Sequence, residues 1–172
     1  MPMRKRLLLP LCSLLAAPAF AAELQIGVEI PRLEVAEYHR PYVAIWLEKP
    51  DQQHVADLAV WYDLKMKDKE GEKWLKDLRQ WWRRSGRGLE LPVDGVSGAT
   101  RAVGTHNLTF GGDSAQLKNL PAGEYSLVVE AAREVGGREL LRVPFAWPPR
   151  QAEQHQAQGK SELGTVTLQL KP

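Results

Sequence analysis

Residues 41–63, PYVAIWLEKPDQQHVADLAVWYD, decide the fold class. Pro41-Tyr42-Val43-Ala44-Ile45-Trp46-Leu47 is dense in β-branched and aromatic side chains, which suit a pleated, half-buried surface. Lys49-Pro50-Asp51-Gln52 supplies turn residues, and residues 55–63 (VADLAVWYD) form a second run of the first kind. The segment reads as a strand–turn–strand hairpin.

Similar signals extend outward on both sides. Leu24-Gln25-Ile26-Gly27-Val28-Glu29-Ile30 alternates apolar and polar before Pro31, as a strand with one buried face does. Downstream, strands are expected over 105–110, over 125–131 after the turn Leu120-Pro121-Ala122-Gly123-Glu124, and over 140–147 after Gly136-Gly137. A last alternating run covers 165–170. Residues 150–160 (RQAEQHQAQGK) are polar without pattern and read as an exposed loop. Between the halves the period changes. Residues 72–84 lack Gly and Pro, and Trp74, Leu75, Leu78, Trp81 and Trp82 make the stripe of an amphipathic helix. Gly86 and Gly88 end it. Lys73, Lys76, Arg79 and Arg83 fall on its other, solvated face. Roughly seven short strands with one inserted helix predict a mainly β fold, an immunoglobulin-like two-sheet sandwich.

The N-terminus bears on location. Arg4, Lys5 and Arg6 precede an apolar stretch over 7–17, and Ala19-Phe20-Ala21 offers a small-x-small cleavage pattern. This is the layout of a secretory signal peptide over 1–21, with cleavage after Ala21 or Ala22 and one domain over 22–172, in the periplasm. The lone cysteine, Cys12, follows Leu11 rather than a small residue, so a lipoprotein is not indicated, and Cys12 leaves with the signal. The mature chain then has no thiol for disulfides, thiolate metal sites or a cysteine nucleophile. Removing Arg4, Lys5 and Arg6 takes Lys+Arg from 23 to 20 against 21 Asp+Glu, so the net charge passes from +2 to −1. That balance argues against nucleic acid as a partner.

The residues that carry chemistry are Asp94-Gly95-Val96-Ser97-Gly98-Ala99-Thr100. Gly95 and Gly98 permit close approach by another molecule. Ala99 adds little bulk, and Thr100 presents a hydroxyl on what reads as a bare loop, with Asp94 as a nearby anion. Such a site suits modification by a second enzyme better than catalysis of its own. Ser97, His106 and Asp94 could be drawn as a triad, but Ser97 lacks the glycine-flanked elbow of a nucleophilic serine. His39, His54, His106 and His155 are scattered without metal spacing, and no metal site is expected. Tyr38, His39 and Arg40 read as a plain lead-in to the strand after Pro41.

The 94–100 heptad resembles the flavinylation motif of secreted bacterial redox proteins: Asp, two variable residues, Ser or Thr, then Gly-Ala-Thr. In those proteins a FAD:protein FMN transferase splits FAD and joins FMN to the last threonine by a phosphoester bond. The resemblance implies covalent FMN on Thr100, with Asp94, Ser97, Gly98 and Ala99 read by the transferase. The wider chain is similar to periplasmic proteins of the domain of unknown function 2271 family. The likeness runs through the early hairpin, the Trp-rich basic segment, the 94–100 motif and Leu120-Pro121-Ala122-Gly123-Glu124-Tyr125. Members of that family commonly sit beside PepSY-type membrane reductases and iron-uptake genes. The expectation is a periplasmic electron carrier. Arg101, Arg83, Arg84 and Arg87 are candidate partners of the FMN phosphate, and Trp81 or Trp82 candidate stacking partners of the ring. The alternative is a cofactor-free immunoglobulin-like binding module.

Overall fold

The computed structural model describes residues 22–172. The signal peptide expected over 1–21, with Cys12, lies outside the described residues. The chain forms two sheets facing each other. One has four strands in the order β5 (Gly104–Gly111), β1 (Glu23–Ile30), β9 (Thr165–Lys171), β8 (Glu153–Gln158). The other has five: β4 (Ser97–Ala99), β3 (His54–Tyr62), β2 (Tyr42–Glu48), β6 (Gly123–Ala132), β7 (Arg138–Trp147). All neighbours are antiparallel except β3 and β4, which run parallel.

Period-two alternation builds the core. Leu24, Ile26, Val28 and Ile30 of β1 face Val43, Ile45 and Leu47 of β2 and Leu127, Val129 and Ala131 of β6 across the sandwich. Full burial of each such aliphatic side chain stabilises by about 1.5–3 kcal/mol. The hairpin over 41–63 holds, as Val43↔Trp61 and Ala44↔Val60 pairs. The order β7-β6-β2-β3 matches the extended G-F-C sheet of variable-type immunoglobulin domains. Tyr125 donates its hydroxyl to the Pro121 carbonyl at 2.8 Å, the tyrosine corner of that architecture. The mainly β, two-sheet sandwich is therefore the observed fold.

β2 is buried along its whole length, because a third layer covers the outer face of the five-stranded sheet. Leu75, Leu78, Trp81 and Leu91 of the 64–96 insertion pack there on Tyr42, Ala44, Trp46, Val60 and Tyr62. The insertion is not the single helix expected over 72–84. Lys67–Asp77 winds in 3-10 turns, broken by left-handed backbone at Asp68 and Lys69, and a six-residue α1 (Arg79–Arg84) follows. The Glu130 carboxylate of β6 accepts the backbone N–H groups of Gln80 and Trp81 at 3.1 and 2.9 Å. That buried acceptor starts a new helix at Arg79 and splits the stripe. Leu75, Leu78 and Trp81 are buried, Trp82 is half-buried, and Trp74 is 50% exposed.

Two further expectations are corrected. Residues 153–158 form β8 rather than a loop, pairing with β9 from Glu153↔Leu170 to Gln158↔Thr165. As an edge strand it covers little core, so its residues need no apolar alternation, and its polarity blunts the edge. Nor is the 94–100 segment a bare loop, because Ser97–Ala99 is the edge strand β4. With these additions the described residues hold nine strands rather than seven.

Candidate functional site

Ser97 shapes the approach to β4. Its hydroxyl accepts the Val93 N–H at 2.9 Å while its own N–H donates to the Val93 carbonyl at 2.8 Å, closing a small ring of chain. Gly95 turns within it at φ +69. Val60↔Ser97, Trp61↔Gly98 and Tyr62↔Ala99 then register β4 against β3. A side chain at Gly98 would bring its Cβ to 3.2 Å from the Trp61 ring, so the narrow residue lets β4 lie close. Asp94, Gly95 and Ala99 are exposed at this edge. Thr100 leaves it with its N–H on the Tyr62 carbonyl at 3.2 Å, and its hydroxyl donates to Asp63 Oδ1 at 3.3 Å.

Thr100 also stands on the wall of a cavity of about 520 Å³, a size common to small-molecule sites. Tyr38, Tyr42, Met66, Trp74 and Arg133 share that wall. Tyr38, His39 and Arg40, read as a plain strand lead-in, thus help to form it. Burial chiefly raises the Tyr42 phenol to about 12, so it stays neutral at physiological pH. Thr100 also borders a shallower depression of about 380 Å³ with Leu64, Lys65 and Ala99.

The remaining candidates do not line the cavity. Arg101 lies with its guanidinium 5.1 Å from the centroid of Trp61, a cation–π contact, and His106 packs edge-on to the same ring. Trp81 is fully buried, and its Nε1 donates to Asp57 Oδ1 at 2.8 Å. Asp57 is five residues before Tyr62, roughly 16 Å along β3. Trp81 and Trp82 are therefore not brought to Thr100, and neither lines the cavity beside it. A fully buried Trp81 ring has no free face for a ligand. Trp74, placed among core tryptophans from its spacing, is the one on the cavity wall. Arg84 donates to the carbonyl and side chain of Gln52 in the β2–β3 turn, and neither it nor Arg83 or Arg87 lines the cavity.

Asp57 itself is structural. Burial raises its pKa, but hydrogen bonds from His54, Ser85 and Trp81 outweigh that and hold it below the usual carboxylate range. Ser97, His106 and Asp94 do not assemble a triad, because Ser97 Oγ is engaged by Val93 and His106 Nε2 meets the Ala102 carbonyl at 2.7 Å. Among the described residues no group of three or more His, Cys, Asp or Glu is arranged to hold a metal, and no helix is long and apolar enough to cross a membrane. Proximity in space, not in sequence, brings Tyr38, Met66, Trp74 and Arg133 to Thr100, and no local pattern marks them.

The fold and site define an immunoglobulin-like β-sandwich with an exposed Gly-Ala-Thr edge and a ligand-sized cavity beside its threonine. The chain belongs to the family of predicted periplasmic proteins, domain of unknown function 2271, whose family model matches residues 23–165. That span runs from the start of β1 to the first residue of β9, and the periplasmic location agrees with the export expected from residues 1–21. No curated protein and no solved structure matches the chain.

Proposed function

We propose that this protein is a periplasmic electron carrier with FMN held covalently on Thr100. A FAD:protein FMN transferase would attach it, and a PepSY-type membrane reductase or an iron-uptake system would use it. One observation carries the reading. The threonine that ends the Asp-Gly-Val-Ser-Gly-Ala-Thr heptad leaves an exposed edge strand with its hydroxyl on a carboxylate and a ligand-sized cavity beside it.

The residues present fit the group. In the transfer, Thr100 Oγ1 bonds to the FMN-side phosphorus of FAD, the pyrophosphate P–O bond breaks, and AMP leaves. Asp63 Oδ1, at 3.3 Å, can accept the hydroxyl proton. Asp94 has an exposed side chain, suited to being read by another protein, whereas Ser97 and Gly98 keep β4 in place. Lys65 shares the shallow depression with Thr100 and supplies a cation for the ester phosphate. Once attached, FMN supplies the one- and two-electron chemistry that none of this chain's own side chains offers.

The test is coexpression of the exported domain with an active transferase. Wild type should gain one FMN by mass, with yellow colour and in-gel fluorescence. Thr100→Ala should gain none, Thr100→Ser should retain partial labelling, and Asp94→Ala should label poorly while keeping its circular dichroism. Thr105→Ala should label normally. Folded wild type that stays colourless beside a fully labelled control substrate would refute the reading and leave the cofactor-free module.

A further inference from the structure

Six large hydrophobic side chains are exposed among the described residues: Val35, Tyr38, Met66, Trp74, Val103 and Val135. Four of them, Tyr38, Met66, Trp74 and Val135, rim the larger of the two concavities that Thr100 lines. Exposed apolar groups scattered singly need no explanation, but a cluster around a concavity marks a binding surface. Val135 sharpens the point. It is 75% exposed and holds a β-branched side chain at φ +51, a strained combination. Beneath the rim, Arg133 is 94% buried at its side chain. It forms a two-pronged pair with Glu162 through Nε and Nη2 at 2.8 and 3.2 Å. Its Nη1 is buried with no partner among the described residues.

Resting on the attachment at Thr100, we infer that this cavity seats the flavin ring, with Trp74 and Tyr38 as its aromatic walls. Isoalloxazine is flat, aromatic on its faces, and carries carbonyl and ring-nitrogen acceptors along one edge. The cavity offers aromatic and thioether surface at the mouth and a neutral Tyr42 phenol. The neighbouring depression, which shares Asp63, Met66 and Thr100 with the cavity, is lined otherwise by Tyr62, Leu64, Lys65 and Ala99, and its one aromatic side chain, Tyr62, is buried. The ring is therefore shielded on one side when at rest.

The experiment uses the exported, transferase-labelled protein and compares its flavin with the FMN-bearing peptide released from it by proteolysis. Intact wild type should fluoresce several-fold less than the peptide and resist iodide quenching. Trp74→Ala should regain fluorescence several-fold and become accessible to iodide, with the same single FMN by mass and an unchanged melting temperature, since Trp74 is half exposed. Trp74→Phe, which keeps a flat wall, should retain the shielding from iodide. Peptide-like fluorescence and iodide access in labelled wild type would overturn the inference while leaving the attachment intact. So would shielding that survives Trp74→Ala and Tyr38→Ala but is lost in Leu64→Ala. Absence of labelling would instead refute the attachment, and the ring seat with it.

Discussion

Replacing Trp81 with alanine separates a core tryptophan from a cofactor-contacting one. The ring is fully buried against the outer face of the five-stranded sheet. Gly86 packs so closely that a Cβ there would sit 2.5 Å from Trp81 Cζ3. Truncating a buried Trp costs about 3–5 kcal/mol. Loss of the 2.8 Å bond to Asp57 adds roughly 0.5–1.5 kcal/mol. The backbone bond of Trp81 to Glu130 survives, so α1 retains its start. With a urea slope of roughly 2 kcal/mol per molar, the unfolding midpoint should fall by about 2–3 M at unchanged slope. Trp81→Phe keeps most of the volume and should lose only about a third as much. Trp74→Ala should stay within about 0.5 kcal/mol of wild type, as substitutions of exposed side chains usually do. The assay is urea denaturation followed by circular dichroism. A Trp81→Ala midpoint within about 0.5 M of wild type, or a Trp74→Ala midpoint as low as that expected for Trp81→Ala, would refute the assignment of core and cavity tryptophans.

Two other outcomes follow from the structure and the N-terminal sequence. Asp57 has a folded pKa below its unfolded one, so its stabilisation is present above the unfolded value near 4 and is lost as pH falls through the folded value. Asp57→Asn should therefore lose stability at neutral pH and show a flatter melting-temperature curve between about pH 5 and 3, and parallel curves for the two proteins would count against that role. N-terminal sequencing of protein recovered from a periplasm should begin at Ala22 or Glu23, and retained Met1 on the recovered protein would contradict export.

The strands were legible where one face is buried. β1 and β9 show clean alternation because their other face carries Gln25, Glu29, Thr167 and Gln169. β8 escaped notice because an edge strand on a polar surface has no apolar face to advertise. The helix boundary was missed for a different reason. Periodicity marked Leu75, Leu78 and Trp81 as buried, and they are, but a carboxylate some 50 residues away determines where the helix begins. In the site, Thr100 and its heptad were visible because their spacing is local. Trp81 and Trp82 were drawn toward the cofactor because aromatic identity alone cannot tell a core ring from an exposed one.

By itself, then, the sequence determined the β class, the positions of most strands along the chain, the export layout and the one threonine that follows a Gly-Ala pair in the 94–100 heptad. Each is written in short-range periodicity or in adjacent residues. Only the tertiary structure decided what surrounds that threonine. Parallel pairing of β4 with β3 puts Thr100 beside Asp63. Folding of the insertion over the outer sheet face buries Trp81 and leaves Trp74 exposed. The turn after β6 brings Arg133 and Val135 to the cavity from more than 30 residues along the chain. Those neighbours are chosen by long-range packing, and nothing in the local spacing of the residues encodes it.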